Sequence, residues 1–263
     1  MLCLVSWLVE PRWQGRTANA WFKEVSTAGG GSGADAGRSA LVSMGDNSAA
    51  YLAEVFTHQD GAWKQSLIQW ARARGWTSSP SERRRASWAA QILREIGPNG
   101  RRAVPCLVRA ARDRTHPRRA GAIELLGVIH RDPPLAIPTL VDCLRETNGY
   151  VRTFAATALG SFGAEGRAAV PALWEALGSQ DTYLAVASAS ALLRIDEKSD
   201  AGWPLLMDTL RSPVATHRVE AARALGNLGP IAWEAVPALR AALADQDPRV
   251  SSAAASALQR VNP

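Results

Sequence analysis

Five prolines constrain this chain more than any other feature. Pro105, Pro138, Pro171, Pro204 and Pro237 follow one another at intervals of 33 residues without a single insertion. Two positions after each stands Leu107, Leu140, Leu173, Leu206 or Leu239, and just before each stands Val104, Ile137, Val170, Trp203 or Val236. Twenty-one positions after each comes Leu126, Leu159, Leu192, Leu225 or Leu258. The near-copies "AVPALWEAL" (169–177) and "AVPALRAAL" (235–243) lie two such periods apart. A period of this length marks an array of one supersecondary unit that cannot bury its apolar face alone and must stack on its neighbours.

Within one period the spacing predicts two helices. Leu173, Trp174 and Leu177 form an apolar stripe at helical intervals. A proline is tolerated beside them because the first turn of a helix has no internal partner for its N–H. The polar stretches "GSQD" (178–181) and "ADQD" (244–247) supply turn and N-cap chemistry. A second helix follows, with Ala155, Ala156, Leu159 and Phe162 on its core side, and it closes at a glycine such as Gly163 or Gly229, where a left-handed cap is cheapest. Each helix is expected to run roughly 11–13 residues. The alanines of the second helix let its backbone come close to the next one. The expected fold is therefore all-α, a right-handed α-solenoid of stacked antiparallel helix pairs.

The proline early in the first helix, the Val-Arg pair opening the second and the alanine run that ends in Leu-Gly resemble HEAT-like repeats. "YVRTFAATALGSFG" (150–163) is the best copy. The match is close to the short bacterial HEAT-like repeats named after phycobilisome bilin lyases, and it covers roughly residues 38–263. Ankyrin repeats share the length, but their Thr-Pro-Leu-His signature is missing, as is the Trp-Leu-Gly-Tyr pattern of tetratricopeptide repeats. The resemblance specifies a fold. It leaves function open, since the family includes lyase subunits, hydroxylases and pure binding scaffolds.

Around the five regular repeats (99–263) the pattern loosens. "ASWAAQILREIG" (86–97) fits a second helix, while "NSAAYLAEVF" (47–56) and "WKQSLIQWARA" (63–73) read as a helix pair out of register, so 38–98 is expected to hold irregular repeats. "WTSSPSE" (76–82) reads as loop and 28–37 as a glycine-rich linker; a phosphate loop is excluded there because Ser32 and Arg38 break the required spacing. Residues 1–27 form an apolar and capping segment, in which Trp13 and Trp21 are expected to cap the first helices. "MLCLVSWLV" is too short to span a bilayer and lacks a basic flank. It reads either as the remnant of an export signal or anchor, or as a short helix docking on the first repeat. Localisation is accordingly left open by the sequence: cytoplasmic, or cell-envelope associated if residues 1–9 are the remnant of an export signal or anchor. The last helix, "VSSAAASALQRV" (250–261), is small and polar on its free side, as a cap should be.

The charge balance narrows the function classes. The net charge is +6, but Lys23, Lys64 and Lys198 are the only lysines, so the arginine excess can reflect coding bias as readily as polyanion binding. Cys3, Cys106 and Cys143 make no disulfide framework and read as buried thiols. His58, His116, His130 and His217 fall in different repeat columns with no metal-ligand spacing, and none precedes a glutamate, which excludes the iron-binding His-Glu pairs of deoxyhypusine hydroxylases. No cofactor is expected.

Arg119, Arg152 and Arg218 share one repeat column, and Asn148, Asp181 and Asp247 share another four positions earlier. In HEAT-like arrays such columns form a structural ladder along the turns, each arginine bonding a carboxylate or carbonyl of its neighbour. A basic stripe for phosphate is the alternative, interrupted here by Ala185 and Ser251.

The outward columns of the second helices, 16, 19 and 23 positions past the proline, vary while the core columns repeat. In such solenoids they line the concave side. Trp88, Phe154, Arg194 and Arg223 fall in these columns and are the expected partner-binding residues. The resulting expectation is a non-catalytic scaffold that binds another protein or peptide in its concave groove, with membrane contact only through the N-terminal segment. Two alternatives stand beside it: a subunit of a bilin-lyase-like enzyme, and a nucleic-acid binder with a basic groove. A salt-dependent shift with a duplex would favour the last.

Overall fold

A computed structural model describes residues 12–27, 32–58, 82–196 and 202–261. The helix expected at 63–73, the loop at 76–82 apart from Glu82, and the apolar segment 1–9 lie outside them. The chain forms two compact units, Met1–Asp132 and Pro133–Pro263.

The N-terminal unit opens with a feature that helical periodicity cannot show. Arg12–Trp13 and Arg16–Thr17 pair as a two-residue antiparallel hairpin, β1 and β2. Its turn residues Gln14 and Gly15 have φ of 51° and 76°, the backbone that matches strand twist in a tight hairpin. The two tryptophans expected to cap helices instead divide their roles. Trp13 stays exposed and its carbonyl accepts a 3.2 Å hydrogen bond from Trp21 Nε1, while the Trp21 ring is buried under the Arg16 guanidinium at 4.1 Å.

Helices α1 (Ala18–Thr27), α2 (Ser32–Met44), α3 (Asp46–Thr57) and α4 (Glu82–Ile96) follow. The glycine-rich stretch read as a linker to residue 37 is thus helical from Ser32. The reason is packing: a Cβ on Gly37 would stand 2.8 Å from the Trp21 carbonyl, so the glycine lets α2 lie directly on the α1 backbone. Short 3₁₀ turns at Gly97–Asn99 and Arg101–Ala103 lead into α5 (Val104–Arg112) and α6 (Arg119–Ile129). α3 packs on α4 and α5, and α4 packs on α6.

The C-terminal unit holds the helix pairs α7 (Pro133–Leu144) with α8 (Gly149–Gly160), α9 (Val170–Leu177) with α10 (Thr182–Ile195), α11 (Trp203–Leu210) with α12 (Ala215–Leu228), and α13 (Val236–Ala242) with α14 (Pro248–Val261). Three of its four first helices are shorter than expected. Before α9 and α13 the chain runs through 3₁₀ segments, Gly163–Ala169 and Gly229–Ala235. The repeat prolines sit at the first or second position of α9, α11 and α13, whereas Pro138 lies inside the longer α7. All five repeat prolines are exposed, so they act by presetting backbone φ and not by packing.

Leu107, Leu140, Leu173, Leu206 and Leu239 are completely buried, as the register requires. The expected stripe on α9 is corrected at its neighbour: Trp174 is 49% exposed, and Ala172 and Ala176 flank Leu173 in the core instead. Each residue of a helix turns by about 100°, and a residue directly after a fully buried leucine can fall outside the stripe. Gly163 and Gly229 do take positive φ, 52° and 61°. The ψ of Gly229 is −138°, so its backbone is not the left-handed helical cap expected there. The same repeat position carries Gly97 (φ 52°) and, without a glycine, His130 in the left-handed region (φ 34°, ψ 47°).

Close backbone contact joins successive second helices. A Cβ on Gly160 would lie 2.8 Å from the Ala191 Cα, and one on Gly226 would lie 2.8 Å from the Ala257 Cα. The two contacts occupy the same place in the repeat.

Candidate partner-binding face

The residues expected to bind a partner divide between the two units. Trp88 belongs to the N-terminal unit and is half-buried on α4, so it is less exposed than its column suggested. Beside it, Arg38 pairs with Glu95 through Nε and Nη2, and Arg94 grips Glu124 with two 2.9 Å contacts. Charge on this face is largely neutralised within the chain.

Phe154, Arg194 and Arg223 belong to the C-terminal unit, on α8, α10 and α12. Phe154 is 37% exposed. Arg194 is half-buried in the last turn of α10, and burial lowers its guanidinium pKa from the usual value. Arg223 is exposed and donates from Nη1 to Glu220 Oε1 at 2.9 Å. On α14, Arg260 donates from Nη1 to Asn227 Oδ1 at 2.8 Å, which links the same column in adjacent repeats. Between α12 and α14 an open cleft of about 510 Å³ is lined by Arg223, Arg249, Ser252, Ser256 and Arg260, with Gly226 and Ala257 at its base. The expected outward columns thus face solvent at least partly along α8, α10, α12 and α14.

The polar columns of the turns have separate jobs. Arg119 is buried and donates from Nε to the Ala111 carbonyl at 2.6 Å, and Arg152 makes the equivalent contact to Leu144 at 3.2 Å. Arg218 grips Asp245 bidentately and also donates to the Ser212 and Pro213 carbonyls. Asn148 and Asp181 are N-caps, accepting from Val151 N and from Tyr183 N and Leu184 N respectively. Asp247 accepts from the Arg249 backbone and side chain, and this holds its carboxyl down at about 2.

Buried chemistry lies apart from the outward columns. Burial pushes the Cys106 thiol up, against a 3.1 Å contact with Thr57 Oγ1, so the thiol is retained. His116 accepts from Arg118 N at Nδ1 and meets the Thr57 carbonyl at Nε2, 3.0 Å away, which fixes Nε2 as the protonated nitrogen. His116 fastens the α5–α6 turn, and Cys106 the first turn of α5, to the end of α3. Among the described residues no group of three or more His, Cys, Asp or Glu side chains could hold a metal ion. None of the described helices is long and apolar enough to cross a membrane.

Sequence reasoning missed the most exposed aromatic side chains among the described residues, Tyr150 at 80%, Trp233 at 67% and Trp174 at 49%. Tyr150 and Tyr183 share one repeat column at the start of α8 and α10, a signal legible in the sequence. Tyr183 meets His217 edge-on, with ring centroids 5.9 Å apart.

A family model of HEAT repeats matches residues 117–194 and 203–263. Among solved structures, one of the complex of CpcE and CpcF of phycocyanin lyase from Nostoc sp. PCC7120 contains a chain 18% identical to this one. The alignment covers 95% of this chain and 97% of that one, with a TM-score of 0.55. An engineered protein is 24% identical over 93% of this chain and 73% of its own, with a TM-score of 0.42. No curated protein matches the sequence.

Proposed function

Because the chain belongs to the HEAT-repeat family, we propose that it is a non-catalytic scaffold that binds another protein or peptide in a concave groove lined by its second helices. The observation that carries this reading is a contrast between columns of the same repeat. The core positions Leu140, Leu173, Leu206 and Leu239 are identical and buried, while the outward positions Phe154, Ala187, Glu220 and Ala253 hold an aromatic, a small apolar and a charged residue type. A stacked array keeps the first set for stability and leaves the second set to specify a partner. Trp88, Phe154, Arg194 and Arg223 are the residues assigned to binding, the aromatics as anchors and the arginines for attraction and orientation.

The test is capture of a partner by the immobilised full-length chain, followed by kinetics with the purified pair. Replacing Trp88 and Phe154 by alanine should mainly raise the dissociation rate. Replacing Arg194 and Arg223 should lower the association rate and its salt sensitivity. Arg152→Ala, whose guanidinium serves the turn, should lower the melting temperature and leave the affinity of folded protein intact. A partner that binds the fourfold variant as tightly as the wild type would move the binding surface elsewhere.

A second reading, as one subunit of a lyase-like assembly, draws on the fold shared with the phycocyanin lyase chain along nearly its whole length. An absorbance change on titrating the full-length chain with a bilin would favour it over the scaffold reading.

A further inference from the structure

We propose that the cleft between α12 and α14 is a carboxylate-binding subsite, in which Arg223 and Arg260 grip acidic side chains of the bound partner protein. The proposal rests on the partner-binding reading and adds to it the chemistry of the segment recognised.

The chain itself shows how its arginines take carboxylates. Arg38 with Glu95, Arg94 with Glu124, Arg101 with Asp132, Arg218 with Asp245 and Arg249 with Asp247 all use Nε and Nη2 together. That edge presents two parallel N–H bonds, which suit the two oxygens of a carboxylate. Arg223 and Arg260 are different. Each spends Nη1 within the chain, on Glu220 and Asn227, and each keeps its Nε–Nη2 edge without a partner among the described residues. Both side chains are exposed and both line the cleft.

Their internal contacts also prepare them. The bonds to Glu220 Oε1 and Asn227 Oδ1 restrict two flexible side chains before any ligand arrives, so less rotamer freedom is lost on binding. The Arg260 anchor is a neutral amide, which leaves that positive charge uncompensated by its partner. At the base of the cleft Gly226 contributes no side chain and meets Ala257 at backbone distance, so an extended segment can lie low between the helices. The volume of about 510 Å³ falls in the roughly 300–1,000 Å³ range of ligand sites, but guanidinium and hydroxyl groups supply much of the lining.

A peptide suits this arrangement better than a nucleic acid. Glu220 and Asp247 stand paired with two of the cleft arginines. Duplex DNA carries one charge per roughly 1.7 Å of axis and would set phosphates against those carboxylates. A peptide can space its acidic side chains and address Arg223 and Arg260 separately.

The test is fluorescence anisotropy of the full-length chain with a short labelled peptide of alternating glutamate and leucine. The probes beside it are the same peptide with glutamine for glutamate, and a DNA duplex. The acidic peptide should bind saturably and about tenfold more tightly than its glutamine counterpart. Arg223→Lys and Arg260→Lys should each weaken it several-fold although they keep the charge, because an ammonium lacks the planar fork. Circular dichroism should show both variants folded, since neither side chain is buried.

Equal binding of the two peptides, full affinity in the lysine variants, or absence of any binding of the acidic peptide would overturn the subsite. So would tighter binding of the duplex than of the acidic peptide. If the glutamine peptide binds as well as the acidic one and Phe154→Ala abolishes it, the partner-binding reading survives and only the carboxylate chemistry falls.

Discussion

Arg218 and Asp245 join the turns of two successive repeats, with Nε 2.8 Å from Oδ2 and Nη2 2.8 Å from Oδ1. Arg218 also donates from Nη1 to the Ser212 and Pro213 carbonyls, so one guanidinium ties both turns together. The Arg218 hydrogen bond, followed by the Asp247 N–H, holds the Asp245 carboxyl below the usual carboxylate range. Neighbouring Asp247 is held down at about 2, chiefly by Arg249.

Both carboxylates have a lower pKa folded than unfolded. Their stabilisation is therefore complete above the unfolded value of about 3.9 and is lost as pH falls through the folded values. Arg218→Ala should lower the melting temperature at pH 7. The gap between variant and wild type should narrow as the pH is lowered from about 4 towards 2. Calorimetry across that range decides the point: a gap that does not change with pH would assign the stabilisation to the carbonyl contacts and not to the ion pair.

Leu173 and Trp174 are adjacent in sequence and opposite in environment. Leu173→Ala removes a completely buried side chain and should cost about 2–5 kcal/mol. Trp174→Ala removes a larger but half-exposed ring, and Ser190→Ala changes an outward position; both should stay within about 1 kcal/mol. Chemical denaturation of the three variants measures the order. Equal losses at Leu173 and Trp174 would contradict the helical face assigned to α9.

The repeat made the core legible because burial there follows a strict period. Leu159, Ala155 and Ala156 could be placed from spacing alone, and so could the outward positions of Phe154 and Arg223. The departures occur where the period is not the governing interaction. The Arg12–Thr17 hairpin depends on local turn chemistry, and the start of α2 at Ser32 depends on how closely Gly37 approaches Trp21, a contact between elements that no window of sequence contains. Trp174 was misplaced because a two-helix template treats every apolar residue as core. The candidate binding face was legible only as a set of columns. Which guanidinium edges remain open depends on contacts such as Arg260 to Asn227, a full repeat apart.

Ser188 occupies a column in which the other regular repeats carry Ala122, Ala155, Ala221 and Ala254, all completely buried. Its hydroxyl is equally buried and has no hydrogen-bond partner. A buried hydroxyl without a partner is destabilising by about 1–3 kcal/mol through lost hydration, and alanine is the better helix former. Ser188→Ala should therefore raise stability by about 1 kcal/mol. Urea denaturation is sufficient to test it, and a clear loss of stability would show that the hydroxyl is bonded after all.

Gly160 and Gly226 set two opposing effects against each other. Alanine inside a helix gains about 1 kcal/mol over glycine from backbone entropy, a gain that applies to Gly226 and shrinks at Gly160, the last residue of α8. Against that gain, the new Cβ would meet the Cα of Ala191 or Ala257 at 2.8 Å and the Cβ of the same residue at 3.0 Å. A flexible side chain could move aside, but these atoms belong to the backbone and its first carbon, so the two helices would have to separate. Overpacking of this kind costs typically about 1–3 kcal/mol. Because the separation would also disturb the buried layer around Leu225, Gly226→Ala should be destabilising by about 1 kcal/mol or more despite its better propensity. Gly178→Ala is the control. A Cβ there meets only the Glu175 carbonyl, at 3.7 Å, on a backbone with φ of −77°, and stability should change by less than about 0.5 kcal/mol. Thermal melts of the three glycine variants would then place Gly160→Ala and Gly226→Ala below the wild type and Gly178→Ala beside it. Stabilisation at Gly226 would mean that α12 and α14 are not in backbone contact.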